Sequence, residues 1–375
     1  MRLILSLLLA IHGALHLLGF ANWWPLARIR GLHDPALAVL VNPAANSRRF
    51  ALYWLLAACL LLAGALLYTQ NHRNWWQAAF AGLVLSQILI SFVWRDAKFG
   101  TIANLLVLVL VVAAAADAHF KRQFERQAAV LLADAAPGPG QPVQIRELEA
   151  LPLPVRRWLG RSEVVGKAHV RTLRLRQAGQ LRTSPTGPWL PAEAEQYFST
   201  ATPGFVWSVD ARLFGVLPIV GRDEYRAGKG RMLIKAAALL TVADAAGPKI
   251  DSGAMLRFLG EIVWFPSAAL SPHIQWTKID DRSAQATFSD HQSSVSARFE
   301  FDAQGRVARI LASRYLGGDA DAVLTPWVVS CSAWGRFAGV EVPVEGDVAW
   351  QLPDVNFSYY RWRILDVEYD PRLKK

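Results

Sequence analysis

Phe205-Val206-Trp207-Ser208-Val209-Asp210-Ala211-Arg212-Leu213 decides the fold of the larger part of this chain. Phe205, Trp207, Val209, Ala211 and Leu213 fall on one side of an extended backbone. Val206, Ser208, Asp210 and Arg212 fall on the other. Successive strand side chains point to opposite faces, so the pattern is a strand with one buried and one wet face.

The same period of two recurs outward from this stretch. Leu173 and Leu175 alternate with Thr172, Arg174 and Arg176; Val295, Ala297, Phe299 and Phe301 alternate with Ser296, Arg298, Glu300 and Asp302. Val348, Trp350 and Leu352 repeat it, and Tyr360, Trp362 and Ile364 then change phase to Leu365, Val367 and Tyr369, which predicts a bulge. Asp280-Asp281-Arg282-Ser283 and Asp302-Ala303-Gln304-Gly305 carry turn residues. Hairpin spacing of this kind predicts a mainly antiparallel sheet.

One helix interrupts the strands. Asp251-Ser252 supplies a cap, Met255, Phe258, Leu259 and Ile262 form a stripe, and Pro266 ends it. A shorter helix is expected around Arg146–Arg161, broken by Pro152 and Pro154. A twisted sheet over such a helical plug predicts a half-barrel with a concave apolar lining.

Toward the N-terminus the composition changes. Ala135-Ala136-Pro137-Gly138-Pro139-Gly140-Gln141-Pro142 reads as a linker, and Phe120–Gln127 as a charged helical stretch before it. Ahead of these lie four apolar runs, Leu3–Phe20, Ala51–Tyr68, Trp75–Trp94 and Thr101–Ala118. Each is about 18–20 residues, roughly 27–30 Å as helix, which matches a hydrocarbon core. Trp23, Trp24, Trp54, Trp75, Trp76 and Trp94 stand near run ends, where indoles favour the interface. The expected organisation is a four-helix transmembrane domain over 1–120, a linker over 121–145 and a soluble β half-barrel over 146–375, an α+β chain.

The chain of 375 residues has 53% hydrophobic residues and a formal net charge of +10. It has no basic helix with interleaved aromatics and no zinc-finger spacing, so nucleic acid is not an expected partner; a membrane lipid surface is. Cys59 and Cys331 lie in different parts of the sequence and give no disulfide framework. With the N-terminus outside, inner loops hold Arg28, Arg30, Arg48, Arg49, Arg95 and Lys98; in the opposite sense they hold Arg2, Arg73, Lys121, Arg122 and Arg126. The positive-inside rule leans to the first, which puts the β domain outside the cytoplasm of an inner-membrane protein.

Several segments carry a family resemblance: Ser86-Gln87-Ile88-Leu89-Ile90, Asp96–Asn104, Gln196-Tyr197-Phe198-Ser199, Pro203–Trp207 and Glu261-Ile262-Val263-Trp264-Phe265-Pro266. They resemble an uncharacterised bacterial membrane protein family, a domain of unknown function, over nearly the whole chain. Glu-x-x-Trp-Phe-Pro is the most specific part. The family brings no activity or catalytic residues to carry over. The order helix–strands–helix–strands is also similar to lipoprotein-carrier half-barrels of bacterial envelopes, a likeness that implies an apolar cavity for acyl chains.

No Gly-x-Ser-x-Gly elbow, phosphate-binding glycine loop, His-Glu-x-x-His or Cys-x-x-Cys is present, and His169, His273 and His291 are scattered. No catalytic residue, metal or cofactor is therefore assigned. Arg257 and Glu261, one helical turn apart beside Trp264 and Phe265, are the candidate ligand-binding residues, with Trp207. The expected function is binding of a lipid, lipoprotein or other apolar small molecule in the concave β domain. The alternative is a redox protein or enzyme with haem or quinone at His12 and His16, four apart in the first span. The expected role of those histidines is hydrogen bonding to Gln87 or Asn104 across helices.

Overall fold

The computed structural model describes residues 2–24, 26, 43–135, 140–215 and 217–371. It forms two compact units, Met1–Phe120 and Lys121–Lys375. Arg28 and Arg30 of the charge tally, and Ala136, Pro137, Gly138 and Pro139 of the linker, lie outside the described residues.

The first unit contains α1 (Arg2–Trp23), α2 (Pro43–Thr69), α3 (Trp75–Phe92), the single turn α4 (Trp94–Ala97) and the start of α5 (Gly100–Ala133). Among the described residues four helices are long and apolar enough to cross a membrane: Leu5–Trp23, Ser47–Thr69, Trp75–Phe92 and Gly100–Ala133. Leu9, Leu61, Ala79, Leu83, Val107 and Val111 pack between them, while Ile11, Leu66, Ile102, Leu106 and Val109 stay exposed. Leucines and valines on the outside of a helical bundle suit a hydrocarbon solvent.

The second unit continues with α6 (Leu153–Arg161), then β1 (Thr172–Leu181), β2 (Leu190–Ser199), β3 (Gly204–Leu213), β4 (Leu217–Arg226), β5 (Lys229–Ala236) and β6 (Leu240–Ala246). Helix α7 (Pro248–Glu261) follows, with short 3-10 turns at Ile262–Trp264 and Pro266–Leu270. The remaining strands are β7 (Ile274–Lys278), β8 (Ser283–Asp290), β9 (Ser293–Phe301), β10 (Val307–Tyr315), β11 (Leu324–Phe337), β12 (Val340–Gln351) and β13 (Asn356–Tyr369). They make one open antiparallel sheet of thirteen strands in the order β6-β5-β4-β3-β2-β1-β13-β12-β11-β10-β9-β8-β7. The inserted helix thus divides two meanders, which meet where β1 pairs with β13.

The alternation read from the sequence sets which face is inside. Phe205 and Val209 on β3, and Ala297, Phe299 and Phe301 on β9, are buried. The predicted phase change near the C-terminus is a bulge at Leu365, since Arg176 faces Asp366 and Gln177 faces Ile364. A second bulge leaves Tyr359 extra between the Val348–Tyr360 and Ala349–Ser358 pairs. The predicted turns form as read. Asp280 accepts from the backbone N–H of Arg282 at 2.8 Å and from Ser283 Oγ at 2.7 Å; Asp302 accepts from the N–H of Gln304 and Arg306 at 2.9 and 2.8 Å.

Helix α7 starts three residues before the expected cap, with Pro248 in its first turn, where a missing N–H costs nothing. Asp251 instead ties the helix to the sheet, accepting from the N–H of Gly230 at 2.8 Å and from Lys229 Nζ at 3.1 Å. Gly230 is needed there, because a Cβ would lie 2.8 Å from the Ile250 carbonyl oxygen. The apolar stripe of α7 buries Met255, Phe258 and Leu259 against Phe198, Phe205, Tyr225 and Phe288.

Phe120–Gln127, read as a helical stretch before the linker, is helical, and the helix runs on to Ala133. Its residues from Lys121 lie on the sheet face opposite α7. Phe124 and Leu131 pack on Val206 and Tyr197, Gln127 Nε2 donates to Glu224 at 2.6 Å, and Arg226 donates to Asp134 at 2.6 Å.

Candidate functional site

Strand register places three residues side by side on the inner face. Gln196 of β2 faces Trp207 of β3, which faces Asp223 of β4. Above them α7 presents Arg257 and Glu261 from successive turns. Arg257 Nε donates to Glu261 at 2.9 Å, Arg257 Nη1 donates to Asp223 at 2.7 Å, and Gln196 Nε2 donates to Glu261 at 2.7 Å. The Arg257 guanidinium also sits over the rings of Trp207 and Phe205, at 4.5 and 4.9 Å. The side chains of Arg257, Asp223 and Glu261 are 15%, 25% and 14% exposed, so the cluster is largely dry with a wet edge.

Electrostatics follow from that burial. Loss of water raises the carboxyls of Asp223 and Glu261 above the usual carboxylate range, and Arg257 offsets this only in part. Burial opposes the charge on Arg257, but Glu261 and Asp223 outweigh it and hold the guanidinium charged.

A second arginine completes the site. Arg314 of β10 lies over Trp327 and Trp350, at 5.4 and 5.8 Å, and its charge acts on Asp223. It reaches α7 because position 253 is glycine; a Cβ there would lie 3.0 Å from Arg314 Nε. Trp350 stacks on Tyr359, whose hydroxyl accepts from Trp327 Nε1 at 3.0 Å. Trp207 Nε1, Arg314 Nε and Gln196 Oε1 are buried with no partner among the described residues.

Of the residues singled out from sequence, Arg257, Glu261 and Trp207 come together here. Trp264 and Phe265 do not line the same surface. Phe265 is fully buried against Phe198 and Phe258, and Trp264 packs on Trp362 at 5.3 Å. Both lie in the hydrophobic core that α7 and the turns after it form on the concave face of the sheet. Asp223, Gln196 and Arg314 were not in that set. A signal for two of them was present: Asp223 is in phase with Tyr225, and Gln196 with Ala194 and Phe198, so each is a polar residue on an apolar strand face.

The three β-domain histidines each have their own partner, His169 with Glu147, His273 with the Ser289 carbonyl and His291 with Asp290. No group of three or more His, Cys, Asp or Glu that could hold a metal occurs among the described residues. In the first unit His12 Nε2 donates to Asn104 Oδ1 at 2.6 Å, and His16 bonds the His12 carbonyl and Ser86 Oγ, both at 2.8 Å. Asn104 Nδ2 donates to Gln87 at 3.0 Å. The network joins α1, α3 and α5, as the cross-helix reading of the histidines expects. A haem or metal ligated at either Nε2 would have to displace Asn104 or Ser86.

The profile of a family of unknown function (DUF6544) matches residues 141–362, the β domain rather than the helices. No curated protein matches the sequence. Among solved structures, a DUF1329 family protein from Desulfovibrio piger is 12% identical with a TM-score of 0.34, over 59% of this chain and 92% of that one. A LolA superfamily protein from Nitrosomonas europaea is 7% identical with a TM-score of 0.31, over 53% and 86%. A domain described as that of an outer membrane lipoprotein-sorting protein, from Vibrio parahaemolyticus, is 8% identical with a TM-score of 0.30, over 55% and 88%.

Proposed function

The chain belongs to this family of unknown function (DUF6544), and from that premise we propose that it is a membrane-anchored binding protein. Its β domain holds the polar head of a lipid, a lipoprotein or another amphipathic envelope ligand at the Arg257 cluster. The reading rests on one observation: three buried polar atoms, Trp207 Nε1, Arg314 Nε and Gln196 Oε1, lack partners around a single ion cluster. Each unpartnered group of this kind costs about 1–3 kcal/mol, so native proteins keep few of them without a use. Two are donors, which suits a carboxylate or ester oxygen. Trp327, Trp350 and Tyr359 beside Arg314 supply an aromatic flank for an apolar tail. Four helices long enough to span a bilayer keep such a domain next to a lipid source, and the basic-residue tally supports an extracytoplasmic location.

The test is titration of delipidated full-length protein with a fluorescent fatty acid. Saturable uptake is expected. Trp207→Phe, which keeps the ring over Arg257 but deletes the N–H, and Arg314→Met should each weaken it severalfold. Absence of saturable uptake, or unchanged affinity in both variants, would refute the assignment.

A further inference from the structure

The membrane-spanning unit holds a cavity of about 450 Å³. Its lining includes His12, His16, Asn22, Trp54, Asp96 and Ala103. That volume falls within the range of ordinary small-molecule sites, about 300–1,000 Å³.

On the cavity wall the rings of His12 and His16 have hydrogen-bond partners, and Trp54 Nε1 has none among the described residues. His12 Nε2 is committed to Asn104. His16 Nδ1 donates to the His12 carbonyl, so its Nε2 is left to bond Ser86. Both rings therefore serve helix-to-helix bonds. Trp54 differs. The sequence places it near a run end, where an interfacial indole is expected, yet it is 6% exposed and packs on His16 with ring centres 5.3 Å apart. Its Nε1–H has no partner among the described residues. Leaving such a buried donor unpaired is costly.

We propose that this cavity binds a bilayer-soluble molecule bearing a carbonyl oxygen on an apolar body, with that oxygen accepting the Trp54 Nε1 hydrogen. Tail carbons lie along the leucines and phenylalanine of the cavity wall, Leu15, Leu18 and Phe99. A quinone ring and the acyl ester of a membrane lipid share this chemistry. The site is separate from the Arg257 cluster and does not depend on it.

The experiment uses delipidated full-length protein with two probes, decylubiquinone and a pyrene-labelled phosphatidylglycerol. Three variants accompany the wild type. Trp54→Phe deletes the donor and keeps a ring. Ala103→Phe fills the cavity. Trp76→Phe is the control, since Trp76 Nε1 is also unpartnered but does not line this cavity. Loss of one neutral hydrogen bond predicts about two- to tenfold weaker binding in Trp54→Phe, no change in Trp76→Phe and loss of binding in Ala103→Phe. That pattern with decylubiquinone supports a quinone; the same pattern with the lipid alone supports an acyl ester. The proposal is overturned if neither probe saturates, or if Trp54→Phe and Trp76→Phe weaken binding equally. It is also overturned if Ala103→Phe, melting as the wild type does, still binds. Should Trp54→Phe fail to fold, the cavity-filling variant decides.

Discussion

Arg257→Met removes the guanidinium that donates to Asp223 and Glu261 at 2.7 and 2.9 Å, while keeping a long helix-forming side chain. All three side chains are no more than 25% exposed, so water replaces the lost cation only at the edge of the cluster. Removing one partner of a buried ion pair costs about 3–5 kcal/mol. The wet edge favours the lower end, and the lost ring contacts add a fraction to that, so about 3–4 kcal/mol is expected. For a domain of this size each kcal/mol moves the melting point by about 2–4 °C, which gives a fall of about 6–16 °C. The loss should depend on pH. Burial already raises the Asp223 and Glu261 carboxyls, and without Arg257 they rise further. A carboxyl whose folded-state value is raised favours the folded state as pH falls through that value, levelling off below its unfolded value. Stability is lost as pH rises through the same window, by up to about 1.4 kcal/mol per pH unit for each carboxyl. Thermal melts of the full-length variant in detergent at about pH 8 and about pH 5.5 test this, with a smaller deficit expected at the lower pH. A melt within about 2 °C of wild type at the higher pH, or a deficit equal at both, would refute the description of the cluster.

Three other outcomes are expected. Phe265→Ala, at a fully buried ring, should destabilise by about 3–5 kcal/mol without altering the affinity of the protein that remains folded, measured by titration below the melting point. A fragment of residues 121–375 should melt well above one of 140–375. The shorter one uncovers the seat of Phe124 and Leu131 on Val206, and burial of two such side chains contributes about 3–6 kcal/mol; equal melts would count against a docked role for that helix. An alkaline phosphatase fused at the C-terminus should be active, as the charge tally predicts, and an inactive fusion beside an active cytoplasmic reporter would reverse the orientation.

Much of the fold was legible because burial of one sheet face imposes a period of two. Phe205–Leu213 and Val295–Phe301 show it, and even the bulge at Leu365 left a phase change in the sequence. The bonds of His12 were foreseeable for a similar reason: few polar groups share the spans, so Asn104 was an available partner. The site was legible only in part. Arg257 and Glu261 are near in sequence, but Asp223 is 34 residues from Arg257 and meets it through strand register, which alternation alone does not set. Aromatic content did not tell Trp264 and Phe265, which pack under the helix, from Trp207, which faces the cluster. The docking of the helix after Lys121 was hidden because Phe124 and Leu131 are interleaved with charges and directly follow an apolar run. Tyr359 enters the site through a bulge for which the local pattern has no marker.

Whether an amphipathic ligand sits with its head at the Arg257 cluster can be read by photolabelling the full-length protein in membranes with a diazirine fatty acid. Any helix that faces the bilayer will label regardless, so the informative sites are those competed away by excess oleate. Competed labelling is expected on peptides carrying Trp207, Arg257–Glu261, Arg314 or Trp350, with its loss in Arg314→Met. Competed labelling confined to residues 1–120, with none in the β domain, would contradict that placement.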